Sequence, residues 1–134
     1  MKRTNNKKVA NYNPTIEKIL KEQQIKKEIT KLNRLFKDMD IPVKKAVQSV
    51  IENTAFMAVT LRKLQDYLNE NGLICEYQNG ENQFGTKKAP EVDIYNTMIK
   101  NFVSTMKSLT DLLPKKIGDS IKEDGFDKFV NNRW

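Results

Sequence analysis

The densest group of side chains able to do chemistry in this sequence is acidic: Glu123, Asp124 and Asp127, with Asp119 nearby. Carboxylates in such a group suit a hard cation held through oxygen. Lys122 and Lys128 interrupt them, however, and the segment reads as a solvated helix face, so no metal is assigned to it. Histidine is absent, which removes Ser–His and Cys–His nucleophile pairs and nearly all common zinc and catalytic iron sites. No Gly-rich loop runs into Lys-Ser or Lys-Thr, so the phosphate-cradling loop is missing as well. The single cysteine, Cys75, has no internal partner for a disulfide; it reads as a small core or strand residue in a reducing compartment. These absences predict a chain that is not an enzyme and needs no cofactor.

The cations are more informative than the acids. The net charge is +7, and residues 1–40 hold eleven Lys/Arg against five Asp/Glu, leaving thirteen against twelve for residues 41–134. The surplus therefore sits in the N-terminal third. Lys2, Arg3, Lys7 and Lys8 occur with no acid among them. Further on, Lys27, Lys31 and Arg34 are spaced i, i+4, i+7, on the side of a helix opposite Ile25, Ile29, Leu32, Phe36 and Met39. Cations so grouped neutralise phosphates with little regard to sequence and with strong salt dependence. These seven residues are the candidate contacts to double-stranded DNA.

The elements that must carry them follow from periodicity. Residues 1–13, Asn-rich and without apolar rhythm, read as a disordered basic arm. Asn13 before Pro14 suits a helix entrance. Ile16, Ile19 and Leu20 mark one helix side, but their phase does not continue into Ile25 and Ile29, which predicts a bend or break near Glu22 to Gln24. After a second break at Asp38 to Pro42, a long helix runs to Asn71. It carries the stripe Val43, Val47, Val50, Thr54, Met57, Leu61, Leu64, Leu68, and a partner helix from Pro90 to before Pro114 carries Val92, Tyr95, Ile99, Phe102, Met106, Leu109, Leu113. A groove-reading role for the long helix is disfavoured, since its first turns offer bases only Lys44, Lys45 and Gln48.

Between the two helices, Asn79-Gly80 signals a small hairpin in which 73–77 pairs loosely with 82–87. Ala55, Phe56, Ala58 and Val59 lie on the sides that the first stripe leaves free. A helix apolar all round must be buried, and one about 45 Å long exceeds the cover expected from so short a chain. Those four residues are therefore expected to form an interface between copies. The class expected is mainly α: an antiparallel helical pair with an added N-terminal helix and one hairpin, the core spanning 14–114. In the 115–134 segment, Phe126, Phe129 and Trp134 either cap the domain or dock into a partner's groove. No stretch approaches the roughly 20 apolar residues of a membrane span, and no secretory signal is read at the N-terminus.

The ordered set of long helix, Asn71-Gly72-Leu73, polar hairpin with Asn79-Gly80, Ala89-Pro90, amphipathic helix and Leu112-Leu113-Pro114 resembles the phage terminase small subunit. The likeness is to the family of long-tailed phages lacking an N-terminal helix-turn-helix and covers roughly residues 25–116. It departs at the exit, where Lys115 and Lys116 follow in place of small hydroxyl residues and arginine. The resemblance implies a non-enzymatic DNA-packaging component in the cytoplasm of an infected bacterial host. Such a component forms a closed ring of about 8 to 11 copies, binds viral duplex DNA and presents it to the large ATPase and nuclease subunit. A protein-interaction adaptor that never touches DNA is the competing reading.

Overall fold

A computed structural model describes residues 14–114. Within them the chain forms α1 (Pro14–Leu35), α2 (Ile41–Asn71), β1 (Ile74–Gln78), β2 (Phe84–Lys88) and α3 (Pro90–Asp111). Helix accounts for 74% of this stretch, so the class is mainly α with one two-stranded antiparallel sheet. The central element is α2, against which both α1 and α3 pack.

The start of α2 is set by Pro42 in its first turn and by Asp40, whose carbonyl accepts the Lys44 N–H at 3.0 Å. Its end is set by Gly72, which donates its N–H to the Leu68 carbonyl at 2.8 Å. Gly72 has φ 77° and ψ 176°, a region open essentially to glycine alone. Proline again opens α3, with Glu91 and Asp93 in the first turn complementing the helix dipole.

The hairpin takes the register Ile74↔Lys88 to Gln78↔Phe84, so each strand lies slightly further along the chain than the sequence reading placed it. The reason is the turn. Asn79 donates its N–H to the Gln83 carbonyl at 2.7 Å, and Gly80 sits at φ 103°, which makes a longer loop than a two-residue Asn-Gly turn. At the hairpin base the Ala89 N–H donates to the Leu73 carbonyl at 2.8 Å, returning the chain to the end of α2. Hence α3 runs back antiparallel to α2: Gln65 hydrogen-bonds Tyr95 near the hairpin, while Met57 shares a groove with Met98 and Asn101 further along.

Both stripes face inward. Val47, Leu61, Phe102, Met106, Leu109 and Leu113 are buried, and Val43, Val50, Met57, Tyr95 and Ile99 pack around them. Thr54, fully buried in the same stripe, donates its hydroxyl to the Val50 carbonyl at 2.7 Å, so burying it leaves no orphaned polar group. From α1 and the turn that follows it, Leu32 and Phe36 enter the same core, with Ile25, Ile29 and Met39 at its edge.

Two expectations are corrected here. No break interrupts α1: it is one helix of 22 residues through Glu22 to Gln24, all three good helix formers. The phase mismatch is resolved by exposure instead, with Ile16, Ile19 and Leu20 each about half exposed. Ala55, Ala58 and Val59, expected to await a second copy, are at most 1% exposed within the single chain. An unbroken α1, roughly 33 Å long at 1.5 Å per residue, supplies cover that two short pieces would not. Only Phe56 of that quartet faces outward, at 46% exposure.

Candidate functional site

The outer face of α1 carries a group of cations. Lys27, Lys31 and Arg34 are all exposed, and together with Lys26 and Thr30 they line one shallow groove of about 380 Å³. The helix puts them there because Ile25, Ile29, Leu32 and Phe36 commit the opposite side to the core. Among the described residues none of the four cations is in an ion pair. The one acid within this stretch, Glu28, is buried and turned to α2, its carboxylate 3.6 Å from the Arg62 guanidinium. That inward pairing leaves the four positive charges of the outer face with no carboxylate in an ion pair among the described residues. Thr30 donates its hydroxyl to the Lys26 carbonyl at 3.0 Å, holding the middle of the groove compact.

The sequence reading found Lys27, Lys31 and Arg34 and missed Lys26 and Thr30. Their spacing carried the signal, since Lys26, Thr30 and Arg34 form a second i, i+4, i+8 row alongside the first. From Lys26 to Arg34 the ridge is about 12 Å long at 1.5 Å per residue. Lysine ammonium groups and an arginine fork on such a ridge can donate hydrogen bonds to several phosphate oxygens at once.

The remaining candidates are distributed otherwise. Lys2, Arg3, Lys7 and Lys8, the docking set Phe126, Phe129 and Trp134, and the acids Asp119, Glu123, Asp124 and Asp127 all lie outside the described residues. Cys75 is half-buried on β1, and among the described residues no three His, Cys, Asp or Glu side chains come together to hold a metal. No helix of the described residues is long and apolar enough to cross a membrane.

Nearer the start of α1, Lys21 and Glu17 meet α2. The Lys21 ammonium stands 4.6 Å from the centre of the Phe56 ring, and Glu17 pairs with Lys63 at 3.8 Å. Burial first, and then the positive charge of Lys63, hold Lys21 below the ordinary lysine range, with Glu17 opposing the shift.

No protein-family model matches the chain, and no solved structure does. A curated protein of Staphylococcus epidermidis, named "Probable nicotinate-nucleotide adenylyltransferase", is 41% identical over 66 residues. That match takes in 49% of this chain and 34% of the relative, so the chain spans about a third of the length of the curated protein it matches. The relative's name is that of an enzyme. It overturns the expectation of a non-catalytic DNA-packaging component, and with it the inference that the chain is not an enzyme. The physical reason lies in what was excluded. Missing histidines and a missing phosphate loop rule out chemistries that need those groups, whereas transfer between bound phosphates is promoted chiefly by positioning and positive charge.

Proposed function

We propose that this chain is a phosphate-binding helical protein whose α1 ridge engages the backbone of double-stranded DNA. The observation that carries this reading is the set of four exposed cations at Lys26, Lys27, Lys31 and Arg34, without an ion-pair partner among the described residues, on a stretch of α1 whose one acid, Glu28, is turned inward. A ridge of fixed cations with no base-reading partner gives affinity through phosphates and counterion release. Duplex DNA is the polyanion proposed because its closely spaced phosphates can meet a straight ridge about 12 Å long at several points. Self-association is part of the proposal, and its surface moves to the exposed row Ile16, Ile19, Leu20 and the neighbouring Phe56. Binding of a labelled duplex, measured by anisotropy at several salt concentrations, tests the reading: Lys27→Gln/Lys31→Gln/Arg34→Gln weakens it if the ridge is the contact.

A second reading is favoured by the named relative: transfer of an adenylyl group to a nicotinate nucleotide, in which the same cations would hold nucleotide phosphates. Its test is direct. The full chain, incubated with ATP, magnesium and nicotinate mononucleotide, is assayed for pyrophosphate and the dinucleotide product, and absence of both removes this reading.

A further inference from the structure

The chain holds two Asn-Gly pairs, Asn71-Gly72 at the end of α2 and Asn79-Gly80 in the hairpin turn, and the fold treats them differently. In such a pair the asparagine side-chain amide can react with the next backbone nitrogen, because glycine has no Cβ to shield that nitrogen and turns freely to present it. At the first pair both reacting groups are engaged. The Asn71 Nδ2 donates to the Tyr67 carbonyl at 2.9 Å, and the Gly72 N–H donates to the Leu68 carbonyl at 2.8 Å. At the second pair neither is engaged. Asn79 and Gly80 are exposed, and the Asn79 side-chain amide and the Gly80 N–H have no hydrogen-bond partner among the described residues. Crowding does not separate the two pairs, since a Cβ added at either glycine would meet nothing within 4 Å. Hydrogen bonding does.

We propose that Asn79 is a self-modification site, at which the folded chain converts an amide to a carboxylate with water as the only co-reactant while Asn71 is preserved. Hydroxide removes the Gly80 amide proton, and the nitrogen's electron pair attacks the Asn79 side-chain carbonyl carbon. A new C–N bond closes a five-membered succinimide. The side-chain nitrogen takes a proton from water and leaves as ammonia, which restores the hydroxide. Water then opens the ring at either carbonyl: one opening gives aspartate, the other isoaspartate, whose main chain is one methylene longer.

Either product places a carboxylate two residues before Glu81, in a turn closed by the Asn79 N–H and the Gln83 carbonyl at 2.7 Å. The longer isoaspartyl backbone opposes that closure, so the adjoining Gln78↔Phe84 pair should fray before the rest of the hairpin.

The test is incubation of the full-length chain in neutral and mildly alkaline buffer, followed by tryptic digestion and fragment mass spectrometry over time. Both pairs fall in one tryptic peptide, residues 64–87, so each sample carries its own control. Asn79 should gain the mass of OH in place of NH2, faster as hydroxide rises, and isoaspartate should appear as methyl acceptance from S-adenosylmethionine with an isoaspartyl methyltransferase. Asn71 must first release two hydrogen bonds by local opening, so it should lag by about tenfold or more. In concentrated urea the lag should vanish, because the fold imposes it. Asn79→Gln, which keeps an amide but would have to close a six-membered ring, should leave residue 79 unchanged in mass and produce no methyl acceptor there. The proposal is overturned if the two asparagines react at equal rates in the folded chain, if Asn79 stays intact under conditions where the urea-unfolded chain reacts, or if the lag persists in urea.

Discussion

Neutralising three cations of the α1 ridge has a consequence that can be worked through in numbers. Each phosphate contact on duplex DNA contributes about 0.9 to the slope of log affinity against log salt. Lys27, Lys31 and Arg34 have no carboxylate partner among the described residues, so no ion pair has to be broken before they meet phosphate. Removing all three in Lys27→Gln/Lys31→Gln/Arg34→Gln should therefore flatten the slope by about 2.7. Contributions from cations elsewhere, including Lys2, Arg3, Lys7 and Lys8, are common to parent and variant and cancel in that difference. Between about 50 and 200 mM salt, a fourfold rise, the parent should lose about 40-fold more affinity than the variant. Fluorescence anisotropy with a labelled duplex at four or five salt concentrations reads both slopes. The three positions are exposed, so folding should change by no more than about 0.5 kcal/mol, a point checked by thermal melting. Parallel slopes for the two proteins, with both folded, would show that the ridge does not touch phosphate.

Other consequences concern the fold and the contact of α1 with α2. Phe36→Ala should cost about 3–5 kcal/mol in urea unfolding, because Phe36 is 2% exposed and fixes the end of α1 in the core; a loss below about 1 kcal/mol would show that α1 is not docked as described. Gly72→Ala should cost about 1–3 kcal/mol from backbone strain alone, since an added Cβ meets nothing within 4 Å. At Gly85 the origin differs. A Cβ there would stand 2.9 Å from the Tyr77 ring, so Gly85→Ala should displace Tyr77 and shift its ring resonances while α1 to α3 melt as before. Lys21 binds its proton less tightly folded than unfolded, so the unfolded chain holds more protons in the alkaline range below the ordinary lysine value, and stability should rise with pH there; Lys21→Met should flatten that rise. Finally, Ile16→Ser/Leu20→Ser should leave the melting temperature nearly unchanged while lowering the native mass of any assembly, and an unaltered mass would move the self-association surface elsewhere.

Much of the scaffold was legible because the signals were local. Proline at the starts of α2 and α3, Gly72 at the end of α2, and Asn79-Gly80 in the turn act on their own backbone and need no tertiary context. The two stripes were legible because spacing alone puts Val47, Thr54 and Leu61, or Phe102, Met106 and Leu109, on one side of a helix. The cationic row was legible for the same reason, and its second file, Lys26 and Thr30, was available by the same rule. Glu28 was not: as a sequence it subtracts from the positive charge of α1, and only its burial against Arg62 removes it from the outer face.

Periodicity thus determined α2, α3 and the faces of each, because every residue on a face is fixed by its neighbours a turn away, and Asn79-Gly80 determined the hairpin, whereas periodicity broke α1 where the helix runs on. What covers each face was decided by tertiary packing. Ala55, Ala58 and Val59 demanded cover that the periodicity assigned to a second copy, and it came from within the chain once α1 ran unbroken beside α2. The meetings of Lys21 with Phe56 and of Glu17 with Lys63 belong to the same level, since their two helices are joined in sequence by a short turn but brought together there only by the core they share. Pairing across elements depends on which apolar surfaces bury each other most completely, and that is a property of the assembled chain rather than of any segment of it.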